Sequence, residues 1–292
     1  ASLIAEFVPW QQILVYIEAV VRVYNRYGRR DNKYKARIKI LVKERTPAVF
    51  TADVEAEWTQ LQGGSATVPA EEFARLAGFF TPPAYESLAG DDPGYRAAVA
   101  DNRGFANWVT RNVHPHKVAG YAIVTLSLKK TGFPPGDATA DQLDAVAALA
   151  DRYSFGELRV SHEQNLIFAD VKQSELLSLW QQLKGLGFAT PNIGLLTDII
   201  CCPGGDFCSL ANARSLPIAE AITRRYQDMD ELHDLGEIDL HISGCINSCG
   251  HHHSGHIGIL GVDKDGQEWY QITLGGSDGS ALSGAAAPGK VV

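Results

Sequence analysis

At 292 residues the chain is long enough for about two domains. With 45% hydrophobic, 21% charged and 9% aromatic residues it has the composition of a globular protein, not of a disordered tail or linker. The longest purely apolar run, residues 145–150, falls far short of the roughly 18–20 residues that cross a bilayer, which excludes an integral membrane protein built on helices. No basic stretch followed by an apolar one opens the chain, so a cytoplasmic location is expected. The single methionine is Met229, and residues 285–292 form no finished element; the chain therefore reads as part of a longer protein.

Net charge is −8, yet ten of the 26 bases fall within residues 22–45, beside only two acids, Asp31 and Glu44. Such a cluster in an acidic protein marks either an anion site or a solvated helix face. The acidity of the remainder argues against nucleic acid as the partner.

Residues 9–27 carry Ile13, Ile17, Val20 and Tyr24 at helical spacing, with Pro9 near the start and Gly28 past the end, which predicts a helix. Residues 36–42 fit either period, strand or helix, and the reading leans to helix. A further helix follows Pro47, with Phe50, Val54, Trp58 and Leu61 on one face. Closely spaced turn residues between 76 and 104 predict a connecting region. Residues 121–128 alternate as a strand, Thr139 and Gln142 form a capping box at the head of a helix, and two strand-like runs at 158–161 and 166–171 precede a helix bearing Leu176, Leu179, Trp180 and Leu183. The order βαββα predicts a split βαβ, ferredoxin-like layer.

All five cysteines lie between positions 201 and 249. That clustering indicates a metal centre or redox site and not a disulfide framework. Cys202 and Cys208 are separated by five residues that include Gly204 and Gly205; Cys245 and Cys249 are separated by three and follow a strand-like run at 238–242. The first spacing is wider than the two to four residues usual for zinc. Four thiolates in two pairs suit a 4Fe–4S cube, one per iron, and glycines let backbone N–H groups approach the cluster sulfurs. Cys201 reads as a buried small residue.

Cys202-x5-Cys208 followed by Gly244-Cys245-x-Asn247-x-Cys249-Gly250 resembles the signature of the siroheme-dependent sulfite and nitrite reductase family. The stretch from Glu163 to Ile167, the basic run from Gly28 to Lys39, and Thr273-Leu274-Gly275-Gly276 agree with it, so the likeness spans the chain, but only as the C-terminal part of the family's architecture. The resemblance implies a 4Fe–4S cluster on Cys202, Cys208, Cys245 and Cys249, with the Cys249 sulfur also the axial ligand of the siroheme iron. It implies that Arg30, Lys33, Arg37 and Lys39 pair with the siroheme carboxylates. Gln164 and Asn165 either contact the macrocycle through their amides or form a polar turn between strands. Asn247 either hydrogen-bonds within its loop or takes up the left-handed conformation such a loop needs.

The resemblance further implies an α+β fold, a ferredoxin-like βαββα layer with an α/β siroheme and 4Fe–4S domain. Its expected parts are residues 1–105, the end of a first α/β domain and connector; 106–193, the ferredoxin-like half-domain; and 194–292, the cluster domain. The activity implied is assimilatory six-electron reduction of sulfite to sulfide, or alternatively of nitrite to ammonia, with ferredoxin or an NADPH flavoprotein as donor and no membrane or nucleic-acid partner. Because the family's substrate-binding cations come largely from its other half, this chain alone is expected to be inactive. Two rival classes are a zinc module using Cys202, Cys208, Cys245 and a histidine such as His251, and an iron–sulfur protein without siroheme. His252, His253 and His256 receive no assigned role.

Overall fold

The structure, a computed structural model, describes residues 3–32, 35–276 and 290–291, so Lys33 lies outside the described residues. It divides into two compact units, Ala1–Pro83 and Ala84–Val292.

The first unit is helical: α1 (Ile13–Tyr27), α2 (Ile38–Arg45), α3 (Pro47–Leu61) and α4 (Ala70–Ala77). Helix α1 forms where periodicity places it, but it buries Val15, Tyr16, Ala19 and Val23 and leaves Ile13 and Ile17 about half exposed. Glu18, Arg22, Asn25 and Arg26 share one side, and the apolar arc opposite is wider than the face that is buried, so the period identifies the helix without fixing which part of that arc the core takes. The ambiguous segment resolves as α2, which buries Leu41 against Phe50 and Val54 of α3. Thr46 caps α3 and Pro47 occupies its first turn, where a missing N–H costs nothing.

In the second unit, α5 (Pro93–Asp101) forms within residues expected only to connect, and α6 (Arg103–Asn112) begins at their end. Their turn residues act as N-caps: Asp92 Oδ1 accepts from the Tyr95 N–H at 2.7 Å and Asn102 Oδ1 from that of Phe105 at 3.0 Å. Phe105 and Trp108 are fully buried beside Trp180. The boundary between the two compact units falls after Pro83.

A four-stranded antiparallel sheet follows, built from β1 (Val113–Pro115), β2 (Tyr121–Leu126), β3 (Arg159–Val160) and β4 (Leu166–Lys172) in the order β1-β2-β4-β3. Helix α7 (Ala140–Tyr153) carries the chain from β2 to β3 with β4 between them, the split βαβ expected, and opens with the Thr139–Gln142 capping box. Helix α8 (Leu176–Leu186) buries Leu176, Leu179 and Leu183 in the same core as Phe168 and Val124. Strand β1 was not read from the sequence; three residues are too few to show a period.

The second sheet holds β5 (Ile200–Cys201), β6 (Leu240–Ser243), β7 (Ile257–Lys264), β8 (Gln267–Leu274) and β9 (Lys290–Val291), in that order. Strands β5, β6 and β7 are parallel, and β7 and β8 form a hairpin whose turn, Asp265-Gly266, has positive φ at both residues (56° and 77°). Helices α9 (Leu216–Arg225) and α10 (Met229–Leu235) connect β5 to β6, and Ala219 and Leu232 pack with Ile199, Leu240 and Ile242. The α+β class expected from the sequence is the one observed. Among the described residues no helix is long and apolar enough to cross a membrane.

Candidate cofactor site

The two cysteine loops leave the second sheet from the carboxyl ends of neighbouring parallel strands, Cys202 directly after β5 and Cys245 two residues after β6. Such ends are where open parallel sheets place ligands. The Cys202 N–H donates to Ile242 O at 3.1 Å, so the first loop starts in register with the second. Its return leg, at Asn212 and Ala213, donates two N–H bonds to Gly244 O at 2.8 and 3.1 Å, and the Gly244 N–H donates to Cys202 Sγ at 3.1 Å. A Cβ on Gly244 would lie 2.7 Å from both Gly204 Cα and Ala213 O, so only glycine permits this approach.

Within the first loop Gly204 adopts φ 60°, and its carbonyl accepts from the Cys208 N–H at 2.9 Å. In the second, Cys245 O accepts from Ser248 N and Ser243 Oγ from Gly250 N, both at 3.1 Å. The left-handed residue of that loop is Ser248 (φ 60°), not Asn247. Asn247 is half-buried. All five cysteines are free thiols: Cys201 and Cys245 are buried, Cys202 and Cys208 partly so, and Cys249 is exposed.

Among the described residues no three or more His, Cys, Asp or Glu side chains gather closely enough to hold one metal ion. The four thiols stand on two loops bonded to each other, with a backbone N–H aimed at one sulfur. That arrangement fits a cube that takes one thiolate at each iron. The proposed zinc partner His251 uses its carbonyl to accept from His241 Nδ1 at 3.0 Å and adopts φ 52°. His253 Nδ1 meets Ser248 Oγ at 3.0 Å, and His256 Nδ1 accepts from Asp239 N at 3.0 Å. Burial lowers the His252 pKa.

Behind the first loop lies a buried polar network. The Gln164 amide spans the Cys201 peptide: Nε2 donates to Cys201 O at 2.8 Å and Oε1 accepts from Cys201 N at 2.9 Å. Asn165 accepts from Leu128 N at 3.1 Å and donates to Asp198 Oδ1 at 3.0 Å. Both residues stand in the polar turn between β3 and β4, one of the two sequence readings, and both amides have protein partners. Lys129, fully buried, donates to Glu163 O at 2.7 Å and Asp198 Oδ1 at 3.2 Å. Burial lowers its pKa while Asp198 opposes the shift. Sequence reasoning missed Lys129 and Asp198; the one available signal was a lysine continuing the apolar alternation of β2. A cavity of about 560 Å³ opens beside Cys201, Pro203, Gln164 and Phe207, whereas a larger one of about 670 Å³, lined by Lys130 and Phe133, includes no cysteine.

In the first unit, Arg30, Arg37 and Lys39 are exposed. Other bases of the cluster carry their own carboxylates: Arg22 and Arg26 with Glu57, Arg29 with Asp31, Arg45 with Asp53. Among the described residues no carboxylate pairs with Arg30 or Lys39. Arg30 lies over the Tyr24 ring, 5.6 Å from its centroid.

Two interlocked cysteine loops at the ends of parallel strands are an arrangement that suits an iron–sulfur cluster. Residues 1–61 and 195–292 match the family described as "Nitrite and sulphite reductase 4Fe-4S domain", and residues 114–186 match "Nitrite/Sulfite reductase ferredoxin-like half domain". The chain belongs to the nitrite and sulfite reductase family, whose cofactors are a 4Fe–4S cluster and siroheme. It is 29% identical over 293 residues to the chloroplastic ferredoxin–nitrite reductase of Betula pendula, covering 94% of this chain and 43% of that one. It is 26% identical over 290 residues to Sulfite reductase (ferredoxin) 2 of Mycolicibacterium paratuberculosis, covering 96% and 45%. The solved structure of Mycobacterium tuberculosis NirA protein shares the fold, with a TM-score of 0.65 and 24% identity over 100% of this chain and 47% of that one. The chain thus spans less than half the length of these relatives.

Proposed function

We propose that Cys202, Cys208, Cys245 and Cys249 hold the 4Fe–4S cluster, with Cys249 also serving as axial ligand to siroheme, and that the protein to which the chain belongs reduces nitrite or sulfite by six electrons. The observation that carries this reading is the interlocking of the two cysteine loops through Gly244 and Cys202. The cofactor pair, when bound, would supply single electrons to the anion. The chain's own part is to orient the thiolates, keep Cys245 from water, and leave Cys249 open on the outer side. Arg30, Lys33, Arg37 and Lys39 pair with the tetrapyrrole's carboxylates, and among the described residues Arg30 and Lys39 have no carboxylate partner, which supports this. Asn247 stabilises the second loop.

The names of the relatives support nitrite over the sulfite that the sequence reading preferred, with ferredoxin as the donor. The test is turnover of the full-length protein with reduced ferredoxin and each anion in turn. Ammonia produced at a much higher kcat/KM than sulfide supports nitrite; the reverse supports sulfite; neither product contradicts the assignment.

A further inference from the structure

Strand β5 has two residues and lies at the edge of its sheet, with β6 on one side. On the other side Gln164 takes the place of a strand. Its amide makes with the Cys201 peptide the same N–H and C=O pair that a neighbouring strand would make, at 2.9 and 2.8 Å. Gln164 reaches this position from the turn between β3 and β4 with φ 61°, a conformation that costs a side-chain-bearing residue free energy. The turn is anchored on both flanks: the Lys129 ammonium donates to Glu163 O, and Asn165 ties Leu128 to Asp198. A strained residue so firmly held, with its amide spent on one peptide, is a device for holding that peptide.

We propose that Gln164 is a positioning residue for the cluster: by clamping Cys201 from the open edge of β5 it fixes the direction in which Cys202 leaves the sheet. Cys201 is held from within by its buried side chain and from without by the amide, so the next residue has little freedom. The inference rests on Cys202 being a cluster ligand. It assigns Gln164 no contact with either cofactor.

The test uses the full chain carrying its cluster. Gln164→Leu removes both hydrogen bonds; Gln164→Gly removes them and also relieves the backbone strain, so it folds even where the leucine variant does not. The readouts are the rate of iron release to a chelator and the electron paramagnetic resonance spectrum of the reduced cluster, with urea unfolding of the same variants as control. We expect release to accelerate about 10- to 100-fold in both variants, the range seen when outer-shell partners of a metal site are removed, with a changed spectrum and, for Gln164→Gly, little change in unfolding midpoint. Iron release and spectrum unaltered in Gln164→Gly, while Cys202→Ser loses the cluster, overturn the proposal alone. A cluster retained by Cys202→Ser overturns the ligand assignment, and the proposal with it.

Discussion

The N–H of Gly244 points at the sulfur of Cys202 across 3.1 Å, joining residues 42 positions apart in the chain. One hydrogen bond therefore ties the two halves of the cysteine signature together before any metal is considered. Hydrogen bonds to sulfur from backbone amides are one of the means by which proteins set a cluster's potential.

Gly244→Ala should break this relationship. Its methyl would press on Gly204 Cα and Ala213 O at 2.7 Å, both backbone atoms that cannot swing aside. Overpacking of this kind costs about 1–3 kcal/mol, and here it separates the two loops. Purified anaerobically, the variant should contain little acid-labile sulfide and unfold at lower urea. A full complement of sulfide would show that the loops tolerate separation.

The Lys129–Asp198 pair is buried on both sides, with side chains 0% and 6% exposed. Lys129→Met leaves the Asp198 carboxylate without its cation and should destabilise the second unit by about 3–5 kcal/mol. Lys129→Met combined with Asp198→Asn should recover part of that loss, since no charge is then stranded. Urea titrations of the two single variants and the double variant measure the coupling; additive losses would mean that the charges do not depend on each other.

His114 contributes a pH dependence of definite sign. Burial lowers its pKa in the folded chain, while the unfolded chain takes up the proton near the ordinary value of about 6.5. Below that pH the unfolded state binds more protons, so stability falls as pH falls. Between about pH 7.5 and about pH 5.5 the parent chain should lose more stability than His114→Gln, which has no proton to gain. Parallel slopes in the two proteins would contradict this.

The chain expressed alone should reduce neither nitrite nor sulfite at a measurable steady rate. The expectation follows from its span, less than half of its relatives. Steady product formation by the isolated chain, with a chemical reductant, would mean that the substrate cations lie within these 292 residues.

The elements that read correctly from sequence are those with local signals. The Thr139–Gln142 capping box lies within four residues, each element of the βαββα order carries its own period, and both features are present as expected. Signals that are local but ambiguous read less well. Asp92-Pro93 and Asn102 suggest turns because turn and helix cap draw on the same side-chain chemistry, and here they are caps. In α1 the surplus of apolar residues hid the buried face. The features missed altogether are long-range. Gln164 meets Cys201 across 37 positions and Lys129 meets Asp198 across 69, and no period in the sequence signals either contact. A resemblance could point to Gln164 and Asn165, but only the structure shows what their amides hold.

The most direct test of the account is the iron, acid-labile sulfide and zinc content of the anaerobically purified full-length protein, read with its visible spectrum, for the parent and for serine at each of the five cysteines. The account predicts iron with matching sulfide and siroheme bands in the parent, their loss at Cys202, Cys208, Cys245 and Cys249, and their retention at Cys201. A colourless protein containing zinc, or a cluster that survives substitution at any of the four, would contradict it.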